Sequence, residues 1–253
     1  MPTCVTGELR VEQLICPVPA CPVPEVPSLS AEVVHVWKQA GVSDASSLEL
    51  LRSLLAPEEC QRAERFRFDK DRHLFITARG WLRALAGAYT SSAPTKVTFC
   101  YSARGKPELT GSAVDFRFNV SHSGETILLA FALGRRVGVD VEEIRRDFSI
   151  AEIAERFFSP AEQGSLRNLP AADQHHAFFR CWTRKEAYIK AMGDGLSLPL
   201  DQFDVSLAPN EPAQLLQTRP DAAEAERWSM CDLDVGDQYA GALVVERNSP
   251  PVR

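Results

Sequence analysis

Twice along this chain an alternating, strand-like stretch gives way to helical spacing and then to further strands, and Gly134 stands between the two passes. In the first pass "AEVVHVW" (31–37) alternates like a strand, and "SSLELLRSLLAPEECQRAERFRF" (46–68) carries helical spacing, with Ser46 or Ser47 as N-cap and Pro57 opening a second helix. "HLFITARGWLRALAGAY" (73–89) is helical again, and "KVTFCYS", "DFRFNVSHS" and "TILLAFAL" follow as strands among turn residues. In the second pass "RVGVDVEEI" (136–144) is a strand, "SIAEIAERFFSPAEQGSLRNL" and "DQHHAFFRCWTRKEAYIKAM" are helices, and "FDVSL", "WSMCDLDV" and "YAGALVVER" are strands. Few folds admit such a repeated order. It predicts an α+β protein of two similar halves, 30–134 and 135–253, behind a proline-rich extension over 1–29 whose alternating prolines lock φ and remove donors. A cleft between two halves is a favoured place for a ligand.

Composition narrows the function. A chain of 253 residues with 45% hydrophobic and 25% charged content is that of an ordinary globular protein. It has no run of about 18 apolar residues to span a membrane, and no basic segment leading into an apolar stretch to form a secretory signal, so a cytoplasmic protein is expected. Seven cysteines without C-x-x-C pairing argue against a disulfide framework or structural zinc. A net charge of −6 disfavours a nucleic-acid binder. Against that background, Arg62, Arg65, Arg67, Lys70, Arg72, Arg79 and Arg83 form a local positive run, suited to a compact polyanion if it is not simply a solvated helix face. Arg65, Arg72 and Arg79 recur every seven residues and share a face if the helix is unbroken, whereas "FDKDR" is a candidate break.

Two stretches carry candidate chemistry. In "VGVDVEE" side chains alternate, so Val137, Val139 and Val141 line a core while Gly138, Asp140 and Glu142 face the other way. Two carboxylates on one face repel unless a cation sits between them, and a hard divalent ion such as Mg²⁺ takes oxygen ligands; an acidic strand facing water explains the pattern as well. In "WTRKEAYIKAMGDGL" (182–196) Glu186 and Lys190 share a helix face, and Gly193 and Gly195 end the helix. A surface ion pair accounts for them if they face water. If they face Asp140 and Glu142, Glu186 becomes a third oxygen donor and Lys190 meets a phosphate. Ser121, His122 and Ser123 beside Gly124 offer donors in a turn where a phosphate could be cradled, while His175 and His176 are read as helix-surface residues.

The segments "GVDVE" (138–142), "WTRKEAYIKAMGDGL", "FNVSHSG" (118–124) and "GKPEL" (105–109), in this order and spacing, resemble the signatures of Sfp-type 4'-phosphopantetheinyl transferases, from about residue 30 to about 205. The resemblance implies a monomer of two pseudo-symmetric halves that binds coenzyme A and Mg²⁺ in the cleft. It transfers the phosphopantetheine arm to a serine of an acyl or peptidyl carrier protein and releases 3',5'-ADP. By matched position it implies Asp140, Glu142 and Glu186 as metal ligands, and Lys190 at the pyrophosphate. It further implies Ser121 and His122 at the 3'-phosphate, Lys106 and Pro107 beside the adenine, and Lys185 near the cleft; basic residues of the positive run join the 3'-phosphate, and Arg72 and Arg79 are assigned there. The "W..KEA" form is similar to the enzymes of polyketide and nonribosomal peptide biosynthesis.

The residue types suit this reaction. Displacement at phosphorus gathers negative charge, which a metal and a lysine stabilise as it grows, and a carboxylate such as Glu186 is a candidate base for the serine proton. The same set would serve a metal-dependent phosphohydrolase or nucleotidyl transferase, and a non-catalytic coenzyme A scaffold is a further alternative.

Overall fold

The computed structural model describes residues 3–6, 9–16, 24–42, 44–102, 105–111, 114–193 and 198–248. Its strands, in chain order, are β1 (Thr3–Thr6), β2 (Leu9–Ile15), β3 (Val33–Ala40), β4 (Phe99–Tyr101), β5 (Pro107–Leu109), β6 (Phe116–Ser123), β7 (Thr126–Leu133), β8 (Val137–Glu143), β9 (Phe203–Val205), β10 (Leu215–Thr218), β11 (Trp228–Asp232) and β12 (Tyr239–Glu246). The helices are α1 (Ala45–Ser53), α2 (Pro57–Glu64), α3 (Asp69–Tyr89), α4 (Ile150–Phe157), α5 (Pro160–Asn168) and α6 (Ala171–Met192).

One sheet has the order β1-β2-β3-β7-β6 and a second the order β11-β12-β8; β4 with β5 and β9 with β10 form small ribbons. Helices α1 to α3 bury Leu51, Trp81 and Leu85 with Phe118 and Phe131 of the first sheet. Helices α4 to α6 bury Phe178, Tyr188 and Ile189 with Trp228 and Val244 of the second. The other faces of the two sheets share a core: Val34, Val36 and Leu128 lie with Val139, Leu243 and Val245. Each sheet thus has one face under helices and one facing the other half, which is the two-halved α+β arrangement expected from the order of periodicities.

The halves also meet along a seam of edge strands. β6 and β8 are both sheet edges, and an edge strand leaves donors and acceptors to be satisfied. Alternate side chains of β6 do this for β8. Asn119 Oδ1 accepts from Val139 N (2.8 Å), Ser121 Oγ from Val141 N (3.4 Å) and Ser123 Oγ from Glu143 N (3.0 Å).

Local chemistry explains where the observed elements differ from the expected ones. The first helix is capped by Asp44, not Ser46 or Ser47, because its carboxylate accepts from Ser47 N at 2.9 Å. The chain breaks between α2 and α3, with Phe68 as N-cap of the latter, so Arg65, Arg72 and Arg79 do not lie on one continuous helix. Residues 9–15, within the expected extension, form a strand parallel to β3, and Val11 is fully buried. The prolines of 17–23 lie outside the described residues, as does Gly195.

Candidate active site

The site rests on a missing Cβ. A Cβ at Gly138 would lie 2.1 Å from Ala187 O and 2.4 Å from Ala191 N, so α6 crosses β8 in direct backbone contact. Only glycine permits this approach. It brings Glu186 and Lys190 to the face of β8 that carries Asp140 and Glu142. At its end α6 stops on Gly193, whose φ of 77° is left-handed.

Lys190 turns to β8 rather than to Glu186. Its Nζ lies 2.6 Å from Asp140 Oδ1 and donates to Ser121 Oγ at 2.9 Å. Ser121 Oγ in turn donates to Asp140 Oδ1 at 2.8 Å, and Ser123 Oγ to Glu142 Oε2 at 2.8 Å. Asp140 is 3% exposed, and its Oδ2 is buried with no partner among the described residues. Burial raises the Asp140 carboxyl above the usual range against the pull of Lys190. Burial also raises Glu142 and Glu186, and the negative charge of Asp140 adds to both; Glu142 adds further to Glu186.

Asp140, with its orphaned buried oxygen, and the two glutamates whose carboxyls its charge raises are oxygen donors of the chemical type a hard divalent cation takes. The residues present fit Mg²⁺ in that chemical sense. Among the described residues no three His, Cys, Asp or Glu side chains already stand at clasping distance; the Lys190 ammonium occupies Asp140 Oδ1 instead.

The opposite face of β6 opens on a different cavity, of about 520 Å³, lined by His122, Arg62, Arg65, Arg79, Tyr101 and Pro107 among others. Arg79 is held by an ion pair with Glu59, by a bond from Nη2 to Tyr101 Oη (2.8 Å) and by the Phe99 ring 4.3 Å from its guanidinium carbon. His122 keeps an exposed edge, yet loss of water around its ring, and next the charge of Lys190, hold its pKa below the ordinary imidazole value. Pro107 also borders a cavity of about 330 Å³ beside Lys106, Arg117, Arg136 and Met192. There Lys106 Nζ donates to Lys190 O at 2.5 Å, and burial brings its pKa down to about 8.

Four expected site residues are placed elsewhere, the first being Lys106, which lines the second cavity and not that of His122. Lys185 is fully buried, and its Nζ reaches Glu162 Oε2 (2.8 Å), Leu200 O (2.7 Å) and Phe203 O (2.6 Å), so it ties α6 to α5 and β9 instead of lining the cleft. Arg72 pairs with Asp69 and lines a separate surface hollow with Leu48, Arg52 and Ile76. Ser121 faces Asp140 rather than His122's cavity, because adjacent residues of a strand point to opposite sides. Asp140, Glu142, Glu186 and Lys190 are brought together, and His122, Arg79 and Pro107 share a cavity. Asn119 and Ser123 join Ser121 in the seam and Gly138 is the crossing point; their signals in the sequence are the alternation N-x-S-x-S and an isolated glycine inside a valine-rich strand.

A model of the 4'-phosphopantetheinyl transferase superfamily matches residues 136–244, and one of the 4'-phosphopantetheinyl transferase N-terminal region matches residues 42–133. The 4'-phosphopantetheinyl transferase HetI of Nostoc sp. is 38% identical over 226 residues, which is 88% of this chain and 92% of that protein. The chain belongs to the 4'-phosphopantetheinyl transferase superfamily. The transferase Sfp of Bacillus subtilis is 33% identical over 63% of this chain and 69% of its own. Among solved structures, the holo-[acyl-carrier-protein] synthase of Thermotoga maritima superposes with a TM-score of 0.36 at 26% identity, over 45% of this chain and 63% of that one. The protein is therefore an enzyme that transfers phosphopantetheine to carrier proteins, and these relatives support neither a hydrolase or nucleotidyl transferase nor a non-catalytic scaffold. No helix among the described residues is long and apolar enough to cross a membrane.

Proposed function

We propose that this phosphopantetheinyl transferase takes its arm from coenzyme A lying across the seam between the halves, with Mg²⁺ held by Asp140, Glu142 and Glu186. The observation that carries the reading is the crossing of α6 over Gly138, which sets Glu186 and Lys190 against the acidic face of β8. The division into halves at Gly134 is supported by the two matched ranges, 42–133 and 136–244.

When bound, the metal would withdraw charge from the phosphate oxygens. The protein's own groups do the rest. Lys190 gives up Asp140 to contact the pyrophosphate, where its ammonium meets the charge that grows on the leaving group. Arg62, Arg65, Arg79 and His122 take the 3'-phosphate, and Pro107 and Tyr101 offer surface for the adenine. The carrier serine Oγ forms a bond to the β-phosphorus as the bond to the departing 3',5'-ADP breaks, and Glu186 accepts the serine proton. The carrier is an acyl or peptidyl carrier protein of polyketide or nonribosomal peptide synthesis, and the enzyme acts as a cytoplasmic monomer.

The test is mass spectrometry of an apo-carrier protein incubated with coenzyme A, Mg²⁺ and the enzyme. A gain of about 340 Da, the arm moving as one phosphoryl-linked unit, is expected. Glu186→Gln should lose at least about 100-fold in rate with its melting temperature unchanged. A Glu186→Gln variant that turns over normally refutes the role of the helix.

A further inference from the structure

The C-terminal half holds a cavity that the transfer reaction does not use. Its volume of about 670 Å³ lies within the range of roughly 300–1,000 Å³ common to small-ligand sites. Trp228, Met230 and Leu215 form buried apolar walls, and Leu216, 54% exposed, stands at the lip. None of these residues borders the cavities at His122 or Lys106.

Arg135 lines the same cavity and is 6% exposed, yet its Nε and Nη2 are buried without a partner among the described residues. Such a charge is costly unless something pairs with it. Loss of water lowers its pKa, and the exposed Glu226 at the mouth does not offset this. Other arginines of this half differ: Arg136 is paired with Glu246, Arg184 with Asp232, and Arg247 Nε donates to Ser229 Oγ on the cavity wall at 3.2 Å.

Nε and Nη2 form the side of the guanidinium that grips two oxygens of a carboxylate or phosphate at once. We infer that this cavity binds a small amphiphilic oxyanion, its head held by Arg135 and its apolar body packed on Trp228, Met230 and Leu216. The site is separate from the cleft that carries Asp140 and Lys190.

The test is calorimetric titration of the full chain with octanoate, octyl phosphate and neutral 1-octanol. At least one anion should bind, and octanol should bind at least about tenfold more weakly. Arg135→Met should reduce anion affinity by at least about tenfold without lowering the melting temperature, since an apolar chain of similar length replaces an unpaired buried charge. Leu216→Glu, at an exposed position, should also weaken anion binding, and decides the matter if Arg135→Met does not fold. Asp140→Ala should bind as the wild type does. Preference for octanoate or octyl phosphate identifies the head as carboxylate or phosphate. The inference is overturned if neither anion binds the wild type up to about 5 mM, if the Arg135 and Leu216 variants bind normally, or if Asp140→Ala abolishes binding.

Discussion

Replacing the hydrogen of Gly138 by a methyl group tests whether backbone contact between β8 and α6 sets the reaction geometry. The new Cβ would sit 2.1 Å from Ala187 O and 2.4 Å from Ala191 N, where ordinary contact begins at 3.4 Å. Both atoms belong to the backbone of α6, so relief requires the helix to lift by roughly 1 Å, and overpacking of this kind costs about 1–3 kcal/mol. For a chain of this length that lowers the melting temperature by about 2–4 °C per kcal/mol. The catalytic effect should be larger, because Glu186 and Lys190 ride on the part of α6 that moves. A displacement of about 1 Å at reacting groups costs on the order of 100-fold in rate. The assay is transfer to an apo-carrier at saturating coenzyme A, with a thermal melt followed by circular dichroism. Gly138→Ala should remain folded and lose about 100-fold in turnover at saturating coenzyme A, while the 3'-phosphate keeps its place at His122, whose cavity is built on other elements. A folded variant with wild-type turnover would refute the argument that this crossing positions the site.

Lys185→Ala removes the cation that neutralises the buried Glu162, and should destabilise the protein by about 3–5 kcal/mol while folded enzyme in the cold keeps its KM for coenzyme A. Lys185→Met with Glu162→Gln should recover much of the stability, and a raised KM with an unchanged melt would return Lys185 to the cleft. His122→Ala and Arg62→Ala should raise the KM for coenzyme A on the order of tenfold and leave dephospho-coenzyme A unaffected, whereas Arg72→Ala should change neither; equal losses for both donors would displace the 3'-phosphate from this cavity. Glu246, hydrogen-bonded and ion-paired to Arg136, has its pKa lowered from 4.5 to about 2. Its contribution to stability is therefore full above pH 4.5 and is lost as pH falls toward about 2. The urea midpoints of wild type and Glu246→Gln should differ at neutral pH and converge across that window, and a gap constant with pH would show that the pair contributes no linkage.

The periodicities of the sequence determined the main helices and the longer strands from residue 31 on, though not the strands Leu9–Ile15, Pro107–Leu109 and Leu215–Thr218, and they determined the repeated order of the two halves and the shared face of Asp140 and Glu142, because alternation and helical spacing are local properties of the chain. The motif around Trp182 likewise marked α6 as a helix whose charges could meet that face. Which of its charges does so was a tertiary matter. Lys185 and Glu186 are neighbours in sequence, but successive residues of a helix point about 100° apart, and only the packing of α6 decides that one enters the core beside Glu162 while the other faces β8. Ser121 and His122 differ in the same way on β6, where the strand fixes that they diverge and the seam with β8 fixes which side each one serves. The even spacing of Arg65, Arg72 and Arg79 carried no such information once the chain broke at Phe68, since a face is shared only along a continuous helix. Gly138 joins the two levels. The sequence supplied a residue without a side chain, and its reason became visible only when a helix about fifty residues later in the chain came to lie against it, because close approach of two backbones is a property of the pair and not of either segment.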